Sequence, residues 1–519
     1  MSTSPSASGA TPAAPVGAPE ILPYEPAIHE LNVDVSDSPY YSADMAPTGR
    51  AQRKWAMKDF AVLWISMAAC IPTYTLASSL ISEGMNWWEA ILTIFLGNVV
   101  VLVPMILNAH AGTKYGIPFP VYCRASFGIL GANVPALLRA FVACGWFGIQ
   151  TWIGGDAIYT MLTVYFPQWV KLPTFSGVNA PQFVCFLAFW ALNMVVVYRG
   201  IDSIRLLLNV KAPLLILLGL ALLWWAYRQA NGFGPMLTQS DAFGPGGAKA
   251  GLFWTTFVAG VTANVGFWST LSLNIPDFSR YAYSQRDQVL GQMFGLPPTM
   301  ALYSFIGVAV TSATIVIFGA AQWDPVKLLT SFRSPAVLII AMLSLCVATL
   351  ATNIAANVVS PANDFAHLWP KRISFRTGGF ITGVIGILLQ PWQLYNNPNS
   401  YLNKWLLGYS PLLGAVGAVL IADYFFIRRT RLDLPGLYRR SGGYWYAIGF
   451  NLRAIIALLL GIAPCVPGFL GTATPLRVPG FWMHLYNYAW FISFGVAFFV
   501  YVILMFMSPP RTATSEAGA

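Results

Sequence analysis

The chain has 519 residues, of which 56% are hydrophobic and only 9% charged, and its mean hydropathy is +0.61. Soluble domains carry about 25% charged residues, so there is too little charge here to coat a water-facing surface of this size, and the bilayer is the natural solvent. The net charge of +10 reads as membrane topology rather than nucleic-acid binding, because the cations fall mostly in short loops between apolar runs.

Residues 1–48 are rich in Ser, Ala, Pro and Gly. They have little to bury and read as a disordered cytoplasmic tail. No basic stretch followed by an apolar core precedes the first span, so a signal peptide is not expected. Twelve apolar spans follow, at 59–81, 88–107, 132–164, 182–198, 206–227, 250–275, 291–318, 335–359, 377–392, 405–427, 446–470 and 484–508. Together they make an all-α transporter domain over 49–508, with a short tail at 509–519. Most spans reach the ~20 residues needed to cross a bilayer. The third is longer and is expected to tilt or project; the ninth is short.

An even number of spans puts both termini on one side. The amino-terminal flank, the connections on its side and the carboxyl-terminal tail hold 19 of the 29 Lys and Arg, against 7 in the opposite set. Both termini are therefore expected in the cytoplasm of a plasma-membrane protein. Two spans carry interruption signals. The first has Ile71-Pro72-Thr73 near its middle, where Pro removes an N–H donor. The sixth has Gly251, Gly260 and Gly266 around Val261-Thr262-Ala263-Asn264, residues that permit unwinding. Either alone reads as a kink. Together, at the first position of each five-helix set, they suggest an inverted repeat with free backbone groups at mid-membrane.

Few polar residues inside the spans are suited to chemistry. Trp146 and Gln150 are four apart and share a helix face. An indole offers a π surface and a carboxamide offers a donor and an acceptor, which suits a planar ring with adjacent N–H and C=O groups. A lipid-facing or core Trp beside an interhelical Gln is the alternative. Asp156, in the third span, is an intramembrane carboxylate and a functional hypothesis by default; a solvated acid in an outer vestibule is the other reading. Glu89, Asp277, Asp364 and Asp423 fall at span ends. Arg139, early in the third span, is expected to snorkel to the interface. The six cysteines form no CxxC pair, so neither a disulfide framework nor a zinc site is expected. The four His make no HExxH, and no P-loop is present, so neither an enzyme nor an ATP-driven pump is expected.

Several longer motifs carry a resemblance. They are His110-Ala111-Gly112-Thr113-Lys114-Tyr115-Gly116-Ile117-Pro118-Phe119-Pro120-Val121, Arg124-Ala125-Ser126-Phe127-Gly128, Trp146-Phe147-Gly148-Ile149-Gln150-Thr151-Trp152, Asn274-Ile275-Pro276-Asp277-Phe278-Ser279-Arg280 and Asn353-Ile354-Ala355-Ala356-Asn357-Val358-Val359-Ser360-Pro361. In this order, over about residues 39–508, the chain resembles the nucleobase–cation symporter family of hydantoin, allantoin and uracil permeases. The resemblance implies the leucine-transporter fold: two inverted five-helix repeats plus two extra helices, the first and sixth helices broken. It implies import of a small planar nitrogen heterocycle with a cation, by alternating access.

Residue by residue, it makes Trp146 and Trp268 the two stacking faces and Gln150 and Asn357 the ring-bonding amides. Cys70 departs from the pattern, since permeases of this family often carry an amide there and a thiol bonds weakly. The ligand is then expected to need one polar contact fewer, or to gain it through water. A sodium site is implied at the carbonyls of Ser66, Ala69 and Ala348 with hydroxyls from positions 351 and 352. Thr352 supplies one and Ala351 cannot. That incomplete cage shifts the expectation towards a proton, with Asp156 as its carrier and sodium as the alternative. No cofactor and no nucleic-acid partner are expected beyond the coupled cation, the heterocycle and the bilayer. A transporter of another small solute, such as an amino acid or a vitamin-like ring, is the competing function; an amino-acid carboxylate would call for a cation or a helix N-terminus in the pocket.

Overall fold

The computed structural model describes residues 28–199, 201–238, 242–332, 334–395 and 397–507; the side chains of 201–213 lie outside that description. Helices dominate. The first apolar run forms α1 (Met57–Ala68) and α2 (Ile71–Ser82), bent by 58° at their junction. Cys70 there is extended (φ −150°, ψ 160°) and Pro72 sits in the first turn of α2, where its missing N–H costs nothing. The next helices are α3 (Trp87–Tyr115), α4 (Phe119–Phe127) and α5 (Asn133–Thr163), followed by α6 (Ala180–Arg199), α7 (Ile201–Gln229) and α8 (Phe233–Leu237). The second half runs through α9 (Phe253–Asn274), α10 (Pro276–Ser279), α11 (Gln285–Phe318) and α12 (Pro325–Leu329). It continues with α13 (Pro335–Asn357), α14 (Val359–Leu368), α15 (Phe375–Leu388) and α16 (Pro391–Leu394). A π-helical segment, Ser400–Leu406, leads into α17 (Leu407–Ile421), and α18 (Leu452–Ile462), α19 (Val466–Ala473), α20 (Gly480–Tyr486) and α21 (Ala489–Met507) complete the chain.

Among the described residues, eight helical stretches are long and apolar enough to cross a bilayer, and nine if the bent pair counts as one. Shorter apolar helices cover Leu214–Gln229 and Phe375–Leu388. Large apolar side chains such as Leu217, Leu302, Leu388, Phe499 and Phe506 stand on the outside of the bundle. Such a belt is costly in water and suited to lipid.

The break expected in the sixth span does not occur. Helix α9 runs unbroken from Phe253 to Asn274. Asn264 Nδ2 donates to Gly260 O at 2.9 Å, inside the helix. The glycines serve packing instead: a Cβ on Gly260 would meet Thr93 Cγ2 at 2.8 Å, and one on Gly266 would meet Leu406 O at 2.7 Å. They let α3 and the π-helical segment before α17 approach α9 closely, so the low helix propensity of Gly is outweighed by tertiary contact.

Two further expectations change. Arg139 does not snorkel; it is fully buried and bonds Asp364 Oδ2 at 3.2 Å, both side chains being 0% exposed. A buried charge persists only when paired, and the partner lies on α14. Within the tail expected over 1–48, the described residues 28–48 pack against the bundle. Val35 and Met45 are buried, Tyr438 Oη donates to Met45 O at 2.7 Å, and Arg124 Nη2 donates to Tyr40 O at 2.9 Å. Its aromatic and aliphatic side chains supply anchors that bulk composition hides. Residues 1–27 and 508–519 lie outside the described residues.

Candidate functional site

The junction of α1 and α2 meets the middle of α5, the carboxyl-terminal third of α9 and the end of α13 around one buried cavity. Its lining includes Cys70, Trp146, Gln150, Trp268 and Asn357, together with Thr352 and the apolar walls Met67, Phe267, Leu271 and Ala356. Residues separated by nearly 300 positions in sequence thus share one small space. It measures about 30 Å³, room for water but not for a ring, so any heterocycle enters only if the walls part.

Each side chain is held by a physical cause. Trp146 is packed edge-on by Phe267, Tyr401 and Trp405, with centroids at 5.2, 6.2 and 5.9 Å. Its Nε1–H donates to Tyr409 Oη at 3.1 Å, and that hydroxyl donates in turn to Gly266 O at 2.9 Å. Gly145 makes room for this arrangement, since a Cβ there would fall 2.1 Å from Trp405 Cη2. Trp268 is fixed edge-on to Trp64 at 5.2 Å and to Phe267 at 5.0 Å. Its Nε1 is buried without a protein partner, as is Gln150 Oε1. Asn357 Nδ2 donates to Asn353 Oδ1 at 3.0 Å. Asn353 Nδ2 lies within bonding distance of Phe147 O, Thr151 Oγ1 and Asn193 Oδ1. A buried amide chain of this kind is rigid when its members are satisfied.

Cys70 Sγ lies 3.3 Å from Thr73 Oγ1. Spacing in sequence gives no hint of Tyr409 or Asn193, which support the cavity from other helices, or of Thr151 on α5; Asn353 and Thr151 lie in motifs but show no role until the fold joins them. Chemically, the cavity offers two indoles, two carboxamides and no charged side chain in its lining. It suits a neutral, flat molecule with hydrogen-bonding edges.

The residues considered for a cation are spread more widely. Ser66 lies near the end of α1, and Ala69 has left helical geometry (φ −74°, ψ 85°), which turns its carbonyl out of the helical ladder. Ala348, Ala351 and Thr352 are buried on α13, and Thr352 Oγ1 donates to Ala348 O at 2.9 Å. That bond uses the hydroxyl hydrogen and leaves oxygen lone pairs. No cluster of three His, Cys, Asp or Glu suited to a metal occurs among the described residues. Asp156 lies outside the cavity lining. It is six residues beyond Gln150, about 9 Å along α5, and its Oδ1 accepts from Gln182 Nε2 at 2.6 Å.

A membrane-embedded helical bundle with one helix broken at a buried polar cavity defines a polytopic transporter. The sequence profile described as "Permease for cytosine/purines, uracil, thiamine, allantoin" matches residues 47–493, and the chain belongs to that family of permeases. It is 45% identical over 471 residues to a purine-uracil permease of Arabidopsis thaliana, covering 89% of this chain and 77% of that one. It is 39% identical over 477 residues to an allantoin permease of Bacillus subtilis, covering 91% and 94%. Among solved structures it is similar to Mhp1, a nucleobase-cation-symport-1 family transporter, in a closed conformation with bromovinylhydantoin bound. The TM-score is 0.72 at 24% identity, covering 90% of this chain and 96% of that one. At that identity the likeness bears on the fold.

Proposed function

We propose that this permease imports a small, neutral, planar nitrogen heterocycle of the nucleobase, allantoin or hydantoin class together with a cation, and that the cavity of Cys70, Trp146, Gln150, Trp268 and Asn357 is its substrate site. One observation carries the reading: these residues converge from distant helices on one cavity in which Gln150 Oε1 and Trp268 Nε1 are buried without protein partners. Unpaired buried polar atoms cost about 1–3 kcal/mol each, and a ring with N–H and C=O edges would recover that cost. Trp146 and Trp268 would bracket its faces. The small cavity volume agrees with a site that opens to one side at a time. An uncharged lining gives no support to an amino-acid carboxylate.

In this reading the chain crosses the plasma membrane twelve times, in two inverted five-helix repeats plus two helices, with both termini in the cytoplasm. The second repeat then works through a continuous α9 rather than a broken one. The proton is the coupling ion we favour, carried by Asp156. The sodium alternative uses the carbonyls of Ser66, Ala69 and Ala348 with Thr352, and lacks a hydroxyl at Ala351. A competition panel tests the substrate class. Uracil, allantoin, hydantoins and purines should raise the melting temperature of the purified protein and displace one another, while amino acids should do neither. Stabilisation by amino acids alone would reject the reading.

A further inference from the structure

We propose that the phosphoryl group of an anionic phospholipid binds in a pocket built on Arg124, in the leaflet facing the Arg- and Lys-rich side of the protein. Arg124 lies on α4 and is 1% exposed. Its Nε donates to His367 Nε2 at 3.1 Å, Nη1 to Leu437 O at 3.1 Å and Nη2 to Tyr40 O at 2.9 Å. A guanidinium has five N–H donors, so these bonds leave two uncommitted. Every acceptor is neutral. Because Arg124 can only donate, His367 Nε2 must accept, which leaves the imidazole neutral with its proton on Nδ1, facing Asn133 Oδ1 at 3.0 Å.

Among the described residues no carboxylate lies within ion-pair distance of Arg124, whereas Arg139 and Arg428 each hold one. A buried cation without a counter-charge is expensive. The cost points to an anion supplied from outside.

The surroundings fit that anion. Arg124, Asn133, His367, Tyr40 and Trp369 line a pocket of about 240 Å³ whose walls contain no Asp or Glu. Two exposed arginines guard its rim. Arg372 lies 4.4 Å over the Trp369 ring, and Arg440 Nε donates to Tyr40 Oη at 2.9 Å. The outer lip is apolar: Trp369 is 53% and Leu368 41% exposed, as suits residues at the headgroup level. Basic residues just beyond a spanning helix attract anionic headgroups. A free phosphate would satisfy the charge but gain nothing from the lip, so the lipid is the assigned source.

Native mass spectrometry of the full chain, purified in detergent and supplied with phosphatidylglycerol or phosphatidylcholine, tests this. The wild type should retain phosphatidylglycerol preferentially, and Arg124→Gln should lower that retention at least tenfold. Arg124→Gln also cuts the bonds to Tyr40 and Leu437, so an Arg372→Gln/Arg440→Gln variant, altered only at the exposed rim, provides the second arm. It should lose retention several-fold at an unchanged lipid-free melting temperature. Equal retention of both lipids, or retention indifferent to both variants, would overturn the site. Stabilisation by inorganic phosphate with none by phosphatidylglycerol would overturn the lipid assignment.

Discussion

Replacing Trp146 and Trp268 in turn, first by Phe and then by Ala, separates binding from folding at the central cavity. Trp268 Nε1–H has no protein acceptor, so Trp268→Phe removes no protein hydrogen bond and should cost little beyond a small packing defect. Trp146→Phe loses the bond to Tyr409 Oη, worth about 0.5–1.5 kcal/mol net. Tyr409 still donates to Gly266 O, so its O–H is not left unpaired. The Phe variants should therefore fold, with Trp146→Phe the less stable. The Ala variants remove a stacking face, worth roughly 1–3 kcal/mol per ring, or about 5- to 150-fold in Kd. They also cost about 3–5 kcal/mol of stability through the cavities they leave. Equilibrium binding of a labelled heterocycle to purified protein, normalised to the folded fraction, should show the affinity loss in both Ala variants and a much smaller one in Trp268→Phe. Unchanged Kd in both Ala variants, with only the melting temperature lowered, would refute the stacking role.

Three further outcomes follow from the geometry. Gly266→Ala puts a Cβ 2.7 Å from Leu406 O and should cost about 1–3 kcal/mol through overpacking and reduce uptake. Gly417→Ala meets Leu273 Cδ2 at 3.4 Å and Phe494 Cε2 at 4.0 Å, ordinary contact distances, and should be tolerated; equal melting temperatures for the two would contradict the close approach of Gly266 to Leu406. Saturating heterocycle should slow modification of Cys70 by a small thiol reagent relative to Cys346, and equal slowing at both sites would place Cys70 away from the ligand. Burial pushes the Asp324 carboxyl above its ordinary range, so its contribution to stability is present at low pH and lost as pH rises through that raised value. Asp324 also accepts from Val326 N at 2.9 Å, a cap that Asn can keep. Asp324→Asn should flatten this part of the melting-temperature profile above the ordinary carboxylate range, and an unchanged profile would show that Asp324 does not titrate as described.

Much of the cavity was legible because its residues lie in long motifs or beside a strong breaker. Pro72 marks the junction of α1 and α2, and the four-residue spacing of Trp146 and Gln150 puts both on one helix face. What escaped depended on neighbours distant in sequence. The glycines of α9 read as breakers because their close contacts with Thr93 and Leu406 are tertiary. Arg139 read as a snorkelling cation because its partner is 225 residues away. The hydroxyl of Tyr409 acquires its role only when α17 packs on α9. The packing of residues 28–48 was hidden because composition averages over anchors as sparse as Val35, Tyr40 and Met45.

Proteoliposomes containing only this protein provide the most direct test of coupled heterocycle transport through the central cavity. An inward proton gradient should accumulate labelled uracil, allantoin or hydantoin above its external concentration, with little change when choline replaces sodium. Trp146→Ala reconstituted at equal density should lower the accumulation at subsaturating substrate in line with its weakened Kd, and Asp156→Asn should uncouple it from the proton gradient. Accumulation that requires sodium and ignores pH would move the coupling to the Thr352 region and leave the substrate reading standing. Failure of every heterocycle to accumulate under either gradient, or accumulation undiminished in Trp146→Ala, would contradict the account.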